Sequence, residues 1–285
     1  MEKSKVGVVI LNFKAYKETL DCVESFRKQT FPEVEIIVVE NGSRNESAAV
    51  LKKEFEHNDD VHIIVSDSNL GFAKGNNLGI NYARKTLGCT DVIVINSDTI
   101  VQPTLVEELI AGKESGVAVI SPTVIHADGN FQQPAVNTSN MPKEVIRTYK
   151  NIFFTSILNW PIVRYLYKRN SRKKSTDDIY VPKEVRTYYL QGCAYMLTSD
   201  FFKHYTQLYP KTFLYWEELN LLWYIYRAGM KTSYVHTSPV LHKVAVSTGK
   251  LIGTEHRRKE KFVYDSMKKS TRLYFTTYSG IRKKY

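Results

Sequence analysis

Four short segments rich in apolar residues alternate with segments that have the periodicity of amphipathic helices. In the segment that marks the strand pattern most clearly, residues 92–99, Val-Ile-Val-Ile runs directly into Asn-Ser-Asp-Thr. An uninterrupted apolar run of this kind suits a strand buried on both faces, as in a parallel sheet. Strands and helices that alternate with short connections predict a doubly wound α/β fold with right-handed crossovers. Strands are predicted over residues 5–11, 35–39, 61–65 and 92–95, and a further strand over residues 117–120.

A polar cluster follows the central predicted strand. Asn96, Ser97 and Asp98 would lie at its carboxyl end, where open α/β sheets bind their ligands. One carboxylate with neutral polar neighbours suits a hard divalent cation that also binds a diphosphate. A Ser-Asp pair after a strand is also a common helix cap, and this interpretation stays open.

Length and cysteine usage restrict the class of protein. The 285 residues suffice for one large α/β domain or two small ones. The longest charge-free stretch in the middle segment, residues 151–163, is shorter than the roughly 20 residues that span a bilayer, and no signal-peptide pattern opens the chain. The cysteines, Cys22, Cys89 and Cys193, are odd in number and far apart, which indicates reduced thiols. We expect a soluble, cytoplasmic protein.

The net charge of +11 is concentrated in two segments. Residues 143–186 carry eleven lysines and arginines against four acidic residues, and residues 250–285 carry eleven against three. Such concentration indicates an anionic partner: a lipid surface, a pyrophosphate-linked acceptor or nucleic acid. No RNA- or DNA-binding motif accompanies the charge, so we expect no nucleic-acid partner. The alternative is that these segments cover the sheet or form an oligomer contact.

The strand pattern weakens over residues 127–183 and then returns. Asp128-Gly129 is typical of a hairpin turn, and residues 188–197 have strand character around Gly192. Asp200 is a candidate N-cap for a short helix.

A pair of acidic residues opens an aromatic-rich helical segment. Glu217 and Glu218 are adjacent, so their side chains project about 100° apart on a helix and cannot both face one target. A strand is predicted over residues 232–236, followed by a loop at Pro239 and then by His242.

Seven motifs in a fixed order resemble those of the family 2 inverting glycosyltransferases of GT-A fold, and particularly the bacterial rhamnosyltransferase-like enzymes. The resemblance covers residues 5–242 and implies a Rossmann-like, mostly parallel central sheet flanked by helices, with a basic helical C-terminal tail. The motifs are Val9-Ile-Leu-Asn-Phe, Val39-Glu-Asn-Gly-Ser, Asn69-Leu-Gly-Phe-Ala-Lys-Gly-Asn-Asn-Leu-Gly, Asn96-Ser-Asp, Gln191-Gly-Cys-Ala, Phe213-Leu-Tyr-Trp-Glu-Glu and Val240-Leu-His.

The resemblance also implies a division of the chain. Residues 1–125 would form the nucleotide-sugar-binding half of a GT-A domain, and residues 183–249 the acceptor and catalytic half. Residues 126–182 would form a variable, basic, partly helical insertion, and residues 250–285 a basic helical tail.

Twelve residues match family positions that bind the donor nucleotide sugar. Glu40 stands where the family usually has Asp, and it is one methylene longer. Three structural alternatives remain open: a core position for Phe13, an ordinary turn at residues 40–43, and close packing by the glycines of residues 69–79. The donor-binding residues implied are Leu11, Asn12, Phe13, Glu40, Asn41, Asn69, Phe72, Lys74, Asn77, Asn96, Ser97 and Asp98.

The remaining matched positions carry the chemistry. Asp98 and His242 would hold Mg²⁺ or Mn²⁺, and Glu218 would act as the general base, with Glu217 in a supporting or acceptor-binding role. Alternatively His242 is structural, and the glutamates only favour the helix dipole. The residues implied to bind the acceptor are Gly192, Tyr215 and Trp216, of which the aromatic pair would otherwise belong to the core.

The resemblance implies a metal-dependent hexosyltransferase that moves a sugar from a dTDP- or UDP-linked donor to a glycan or undecaprenyl-diphosphate-linked acceptor. The basic segments would then dock the enzyme peripherally at the inner face of an anionic membrane. Two alternatives are a catalytically silent nucleotide-sugar-binding protein and a nucleotidyltransferase. The nucleotidyltransferase is disfavoured because Asn12-Phe-Lys-Ala-Tyr, after the first strand, is not a glycine-rich basic loop.

Overall fold

The computed structural model of the chain describes residues 4–127, 129, 131–132, 190–215 and 217–243, together with residues 266 and 269. Nearly all of the predicted insertion and tail, and Trp216, lie outside the described residues. The strands are β1 Val6–Asn12, β2 Val34–Glu40, β3 Val61–Val65, β4 Asp91–Asn96, β5 Thr99–Ile100, β6 Val117–His126, β7 Phe131–Gln132, β8 Ala194–Leu197 and β9 Lys231–His242. The helices are α1 Tyr16–Phe26, α2 Ser47–Glu54, α3 Phe72–Lys85, α4 Leu105–Ala111, α5 Ser199–His204 and α6 Glu217–Arg227.

The described strands form one mixed sheet in the order β3-β2-β1-β4-β8-β6-β9-β5, with β7 paired to β6. The predicted α/β architecture with a mostly parallel sheet is confirmed. Strands β3, β2, β1 and β4 lie in this order and each is parallel to the next, and β6 is parallel to β9. The sheet differs from a simple doubly wound one because β8 lies between β4 and β6, antiparallel to both.

Strand register brings the polar ends of three strands together. Leu11 of β1 is aligned with Asn96 of β4, and Asn12 is aligned with Glu40 of β2. Because the carboxyl ends of parallel strands meet at one edge, the loops that follow β1, β2 and β4 border a common cleft.

Each buried strand packs against helices on both of its faces. Along β1 and β4, Val9 and Val94 face the side covered by α3, α5 and α6, whereas Val8 and Ile93 face the side covered by α1, α2 and α4. Side chains alternate along a strand, so two apolar faces require the near-continuous valine and isoleucine runs seen in the sequence.

Two glycines let α3 approach the sheet closely. A Cβ atom added at Gly75 would lie 2.6 Å from Leu11 Cδ1, and one added at Gly79 would lie 2.4 Å from Val9 Cγ1. The close-packing interpretation of these glycines is therefore confirmed.

The hairpin predicted near residue 129 is present, because β6 and β7 pair antiparallel on either side of Gly129. The N-cap predicted at Asp200 is wrong. Thr198 caps α5 instead, its side chain accepting a hydrogen bond from the Phe201 N–H, while the Asp200 carboxylate accepts one from the Gly116 N–H at 2.7 Å. The carboxylate is used to join α5 to the turn before β6.

The predicted loop at Pro239 is wrong in its extent, because β9 continues through Pro239 to His242. Pairing with β6 shifts between Val235 and Val240, and Pro239 lies in this irregularity. Proline has no N–H to donate, so it is tolerated where the ladder is interrupted.

No helix in the part of the chain that the structure describes combines the length and apolarity needed to cross a membrane.

Candidate active site

Asp98 and His242 lie together at the carboxyl edge of the sheet. Asp98 follows β4, and His242 is the last residue of β9, where it is aligned with Thr99 of the short strand β5. The Nε2 atom of His242 lies 3.2 Å from Asp98 Oδ1, and the Lys243 N–H donates to the Asp98 carbonyl at 2.8 Å. Two residues that are distant in the sequence are thus fixed side by side by backbone pairing.

A second histidine, His126, borders this pair. It ends β6 and is the register partner of His242, and the two rings have centroids 5.6 Å apart at 44°. The Nδ1 atoms of both rings are buried and have no hydrogen-bond partner among the described residues. Sequence reasoning missed His126 because it ended this strand at Ile120; the β-branched residues just before His126 were the available signal.

Asn12 holds the loop after β1. Its Oδ1 accepts hydrogen bonds from the Ala15 N–H at 3.2 Å and the Thr19 hydroxyl at 2.9 Å, so it anchors the start of α1. Its Nδ2 is buried and has no hydrogen-bond partner in the described part of the chain. The neighbouring Phe13 is partly exposed, and Lys14 Nζ lies 5.4 Å from its ring centroid.

Glu40 shapes the loop after β2. Its two carboxylate oxygens accept from the Gly42 N–H at 3.2 Å and the Ser43 N–H at 2.8 Å, and the residue is only 2% exposed. Ser43 Oγ in turn accepts from the Lys14 N–H at 2.8 Å. The Glu40 side chain therefore folds back onto its own turn, and Ser43 links this turn to the loop after β1.

Asn41 and Asn69 join the same edge to the start of α3. The Nδ2 of Asn41 donates to Asn69 Oδ1 at 3.1 Å and to the Gly71 carbonyl at 3.2 Å, and its Oδ1 accepts from the Leu70 N–H at 3.0 Å. Both ends of the Asn41 amide are thus bonded to the protein.

The other predicted donor residues of α3 differ in accessibility. Asn77 is buried, and its amide donates to and accepts from the backbone of Leu208 at 2.9 and 2.8 Å. Phe72 is partly exposed and its N–H donates to the Phe213 carbonyl at 2.8 Å, while Lys74 is exposed. Of the residues on α3 predicted to bind the donor sugar nucleotide, Lys74 is the one with an exposed side chain.

Gly71 allows the loop before α6 to close on α3. It has φ +81°, and a Cβ there would lie 2.2 Å from the Phe213 carbonyl oxygen. The closed loop includes Tyr215, whose φ of +70° is unusual for a bulky residue. Such strain is found where surrounding contacts over-determine the backbone, often beside a ligand site.

Glu217 and Glu218 open α6 and turn buried carboxyl groups toward β8, although each residue keeps some exposed surface. Burial, followed by the neighbouring charge of Glu218, raises the pKa of Glu217 to about 8. Burial also raises the pKa of Glu218, and a hydrogen bond with the Gly192 backbone lowers it in part. The two carboxyl groups together therefore retain a proton at neutral pH more readily than exposed glutamates do.

Cys193 is close to both acidic centres. Burial raises the pKa of its thiol to about 12, and the charges of Asp98 and Glu218 both act in the same direction. Its carbonyl accepts from the Asn96 N–H at 2.8 Å. The turn before β8 therefore connects the end of β4 with the acidic start of α6.

Of the other predicted residues, Ser97 is buried, whereas Leu11, Asn96 and Tyr215 are partly exposed and border the same edge. No group of three or more His, Cys, Asp and Glu side chains in the described ranges is arranged to hold a metal ion. Asp98 and His242 would supply two ligands at most, leaving other positions to a bound diphosphate or water.

Sequence comparison gives a family match and distant relatives. The model of the family described as "Glycosyl transferase family 2" matches residues 7–181. The low-salt glycan biosynthesis hexosyltransferase Agl10 of Haloferax volcanii is 24% identical over 242 residues, which cover 85% of this chain and 68% of the relative. Glycosyltransferase GlyG of Streptococcus pneumoniae is 27% identical over 130 residues, covering 44% of this chain and 42% of the relative.

Structural comparison gives GT-A-type folds. A crystal structure of GalNAc-T7 with UDP, GalNAc and Mn²⁺ has a TM-score of 0.57 and 16% identity, covering 85% of this chain and 44% of that one. Residues 1–349 of S. aureus TarS have a TM-score of 0.50 and 13% identity, covering 84% of this chain and 60% of that one. At these identities the likeness shows the fold alone, and the chain spans less than two thirds of both proteins. Because the family model spans well over half of its length, the chain belongs to glycosyl transferase family 2.

Proposed function

We propose that the protein transfers a sugar from a nucleotide-diphosphate donor, dTDP- or UDP-linked, to a hydroxyl of a glycan or lipid-linked glycan, with inversion at the anomeric carbon. The observation that carries this proposal is that the turn at Gly192 and Cys193 connects two acidic centres. Glu218 Oε1 lies against Gly192, and the Cys193 carbonyl accepts from the N–H of Asn96, two residues before the Asp98 that contacts His242. Leaving-group stabilisation and acceptor deprotonation need separate groups that share one cleft. The name of the low-salt glycan biosynthesis hexosyltransferase Agl10 supports a role in glycan synthesis, and that of glycosyltransferase GlyG supports sugar transfer.

The residues present fit a divalent cation at Asp98 and His242. Their nearest oxygen and nitrogen are 3.2 Å apart, close to the separation of two neighbouring ligands that each lie about 2.1 Å from one ion. Mg²⁺ and Mn²⁺ commonly complete their shells with substrate phosphates and water, so two protein ligands suffice. When bound, the ion would neutralise charge on the departing nucleoside diphosphate.

Glu218 is proposed as the general base. It would accept the proton of the acceptor hydroxyl while the oxygen forms a bond to the anomeric carbon and the bond from that carbon to the diphosphate breaks. Burial raises the pKa of this carboxyl group and makes it a stronger base than an exposed glutamate. The two carboxyl groups are coupled and both pKa values are raised, so the proton that the pair retains would have to lie on Glu217 for Glu218 to act as the base.

Phe13 and Asn12 are proposed to receive the nucleotide. Phe13 offers a partly exposed ring for stacking on the base, and the unshared Asn12 Nδ2, which has no hydrogen-bond partner among the described residues, offers a donor. Lys74 would approach the diphosphate. Glu40 and Asn41 would act mainly by shaping the turn beside the base, because their polar atoms are bonded to the protein.

The test is a donor screen followed by variants. Purified protein is incubated with UDP-, dTDP- and GDP-sugars, dTDP-rhamnose included, with Mg²⁺ or Mn²⁺, and donor consumption and product anomeric configuration are measured. Glu218→Gln should lower kcat by about 10² to 10⁴-fold, the range of general-base catalysis. Binding of the matching nucleoside diphosphate with Mn²⁺, measured by titration calorimetry, should be retained.

Asp98→Asn should instead weaken that Mn²⁺-dependent binding, and Glu56→Gln, on the exposed surface, should change neither property. Near-normal kcat in Glu218→Gln would reject the base, and unchanged calorimetry in Asp98→Asn would reject the metal site. Donor binding without any turnover across the screen would favour a silent nucleotide-sugar-binding protein.

The basic segments, residues 143–186 and 250–285, are proposed to hold the protein peripherally on the cytoplasmic face of an anionic membrane, close to an undecaprenyl-diphosphate-linked acceptor. Each lysine or arginine near such a surface contributes about 1 kcal/mol. Co-sedimentation with vesicles of phosphatidylglycerol and phosphatidylcholine should rise with the phosphatidylglycerol fraction and fall with salt. Binding that is independent of the anionic lipid would reject this docking.

A further inference from the structure

The turn before β8 makes an unusually close contact with α6. Gly192 lies in this turn, and a Cβ atom added to it would be 2.2 Å from Glu218 Oε1, 3.1 Å from Cδ and 3.6 Å from Cγ. Real Cβ atoms are almost never found so near another heavy atom. The Glu218 carboxylate therefore occupies the space that any side chain at position 192 would need.

A Cβ at position 192 would conflict with the Glu218 carboxylate, the far end of a flexible side chain, and not with the backbone conformation. Gly71 and Gly229 have positive φ angles, but Gly192 does not, so an alanine could adopt its backbone conformation. The three heavy atoms nearest to its added methyl group all belong to Glu218.

Gly192 also contacts the carboxylate directly. Its backbone forms a hydrogen bond with Glu218 that favours the ionised form, against the effect of burial. The turn itself is fixed to the sheet, because the Cys193 carbonyl accepts from the Asn96 N–H at 2.8 Å. A carboxylate seated on Gly192 is therefore held at a set position relative to the end of β4.

We propose that Gly192 is a positioning residue for the Glu218 base: its missing side chain admits the carboxylate, and its backbone orients it toward the cleft. The proposal rests on the proposed function, because it takes Glu218 as the base. The Glu218 carboxylate can lie against the turn because residue 192 has no Cβ.

The test is a double-variant cycle with Gly192→Ala, Glu218→Asp and both together. Gly192→Ala should lower kcat for sugar transfer at least about tenfold by displacing the base, while donor KM stays within about twofold. Glu218→Asp shortens the acid by one methylene and vacates the space. Adding Gly192→Ala to Glu218→Asp should therefore lower kcat by less than about threefold.

Gly112→Ala is the matched control. Gly112 also has an ordinary backbone conformation, and its added Cβ would meet Val235 Cγ2 at 3.1 Å, an apolar side chain outside the site. This variant should keep the kcat of the unaltered protein.

Thermal unfolding of the same variants separates the contact from the chemistry. Gly192→Ala should lower the Tm when Glu218 is present and much less when Glu218→Asp is present. If Gly192→Ala does not fold alone, recovery of folding in the double variant supports the proposal, and failure to recover overturns it. Losses in kcat that simply multiply, or an unchanged kcat in Gly192→Ala, also overturn it.

Failure of the proposed function gives a different result. If Glu218 is not the base, Glu218→Gln keeps its turnover, and Gly192→Ala changes the Tm without changing kcat. The contact between Gly192 and Glu218 would then affect only stability, and the positioning role of Gly192 would be rejected together with Glu218 as the base.

Discussion

The two ends of β4 each carry a buried aspartate, and their surroundings differ. At the amino end, Asp91 is bonded on both oxygens: Lys113 Nζ lies 2.8 Å from Oδ1, the Thr90 hydroxyl donates to Oδ2 at 2.7 Å, and the Ser199 N–H donates to Oδ1 at 2.9 Å. This set of bonds joins β4 to the segment after α4 and to the start of α5. It is a stabilising contact with no capacity left for a ligand.

At the carboxyl end, Asp98 lies among polar groups that are not fully satisfied. Three buried atoms around this edge have no hydrogen-bond partner within the described ranges: Asn12 Nδ2, His126 Nδ1 and His242 Nδ1. Unsatisfied buried polar atoms are costly and usually have a functional explanation. One end of the strand therefore contributes to folding stability, while the other leaves hydrogen-bonding capacity of buried polar atoms unused by the described part of the protein.

Asp91→Ala should have the largest effect on stability. It removes one member of a buried ion pair and leaves the Ser199 N–H without its acceptor, so we expect a loss of about 3–5 kcal/mol in the free energy of unfolding. Denaturant titration measures this loss, with the exposed Asp59→Ala as control. A loss below about 1 kcal/mol in the free energy of unfolding would show that the bonds of Asp91 do not stabilise the fold as expected.

Glu217→Gln should have an intermediate effect that depends on pH. The folded-state pKa of about 8 lies above the usual value of 4.5, so the contribution of this group to stability is fully present below pH 4.5 and is lost as pH rises toward 8. The glutamine variant has no such proton to lose. We expect it to gain at least about 1 kcal/mol on the unaltered protein between pH 5 and 8, or roughly 2–4 °C in Tm. Parallel Tm profiles for the two proteins would contradict the raised pKa.

Asp98→Asn should have the smallest effect on stability, although the proposed function assigns it a large effect on binding. Without metal or nucleotide, the neutral side chain no longer bears the cost of a buried charge, which offsets the lost contact with His242. We expect the free energy of unfolding to change by less than about 1 kcal/mol in denaturant titration. A loss as large as that of Asp91→Ala would remove the distinction between the two ends.

The sequence was informative wherever local pattern decides structure. Apolar runs located β1 to β4, and the polar residues after Ile95 were correctly placed at the carboxyl edge of the sheet. The acidic start of α6 and the proximity of Asp98 to His242 followed from motif order. The catalytic and binding roles of these residues stay predictions.

Pattern could not supply what depends on distant partners. The alternation of side chains shows that a strand is buried but not which strand pairs with it, so the antiparallel position of β8 was not foreseen. The sequence alone did not indicate His126 as a site residue, because β6 extends beyond its apolar run to end at His126. The contact between Gly192 and Glu218 joins residues 26 positions apart through a turn and a helix, and neither position carries a local signal for it.

The position of β8 has a consequence for synthesis of the chain. Until Ala194–Leu197 has emerged, β4 has a partner on only one side, and the valines and isoleucines of residues 92–95 form an open edge. Such an edge can pair with another nascent chain, and it stays open while nearly a hundred further residues are translated. The middle of the sheet is therefore completed late in synthesis, when β8 pairs with β4. We expect that protection of this edge by a chaperone, or rapid docking of β8, increases the fraction of the protein that reaches the native state.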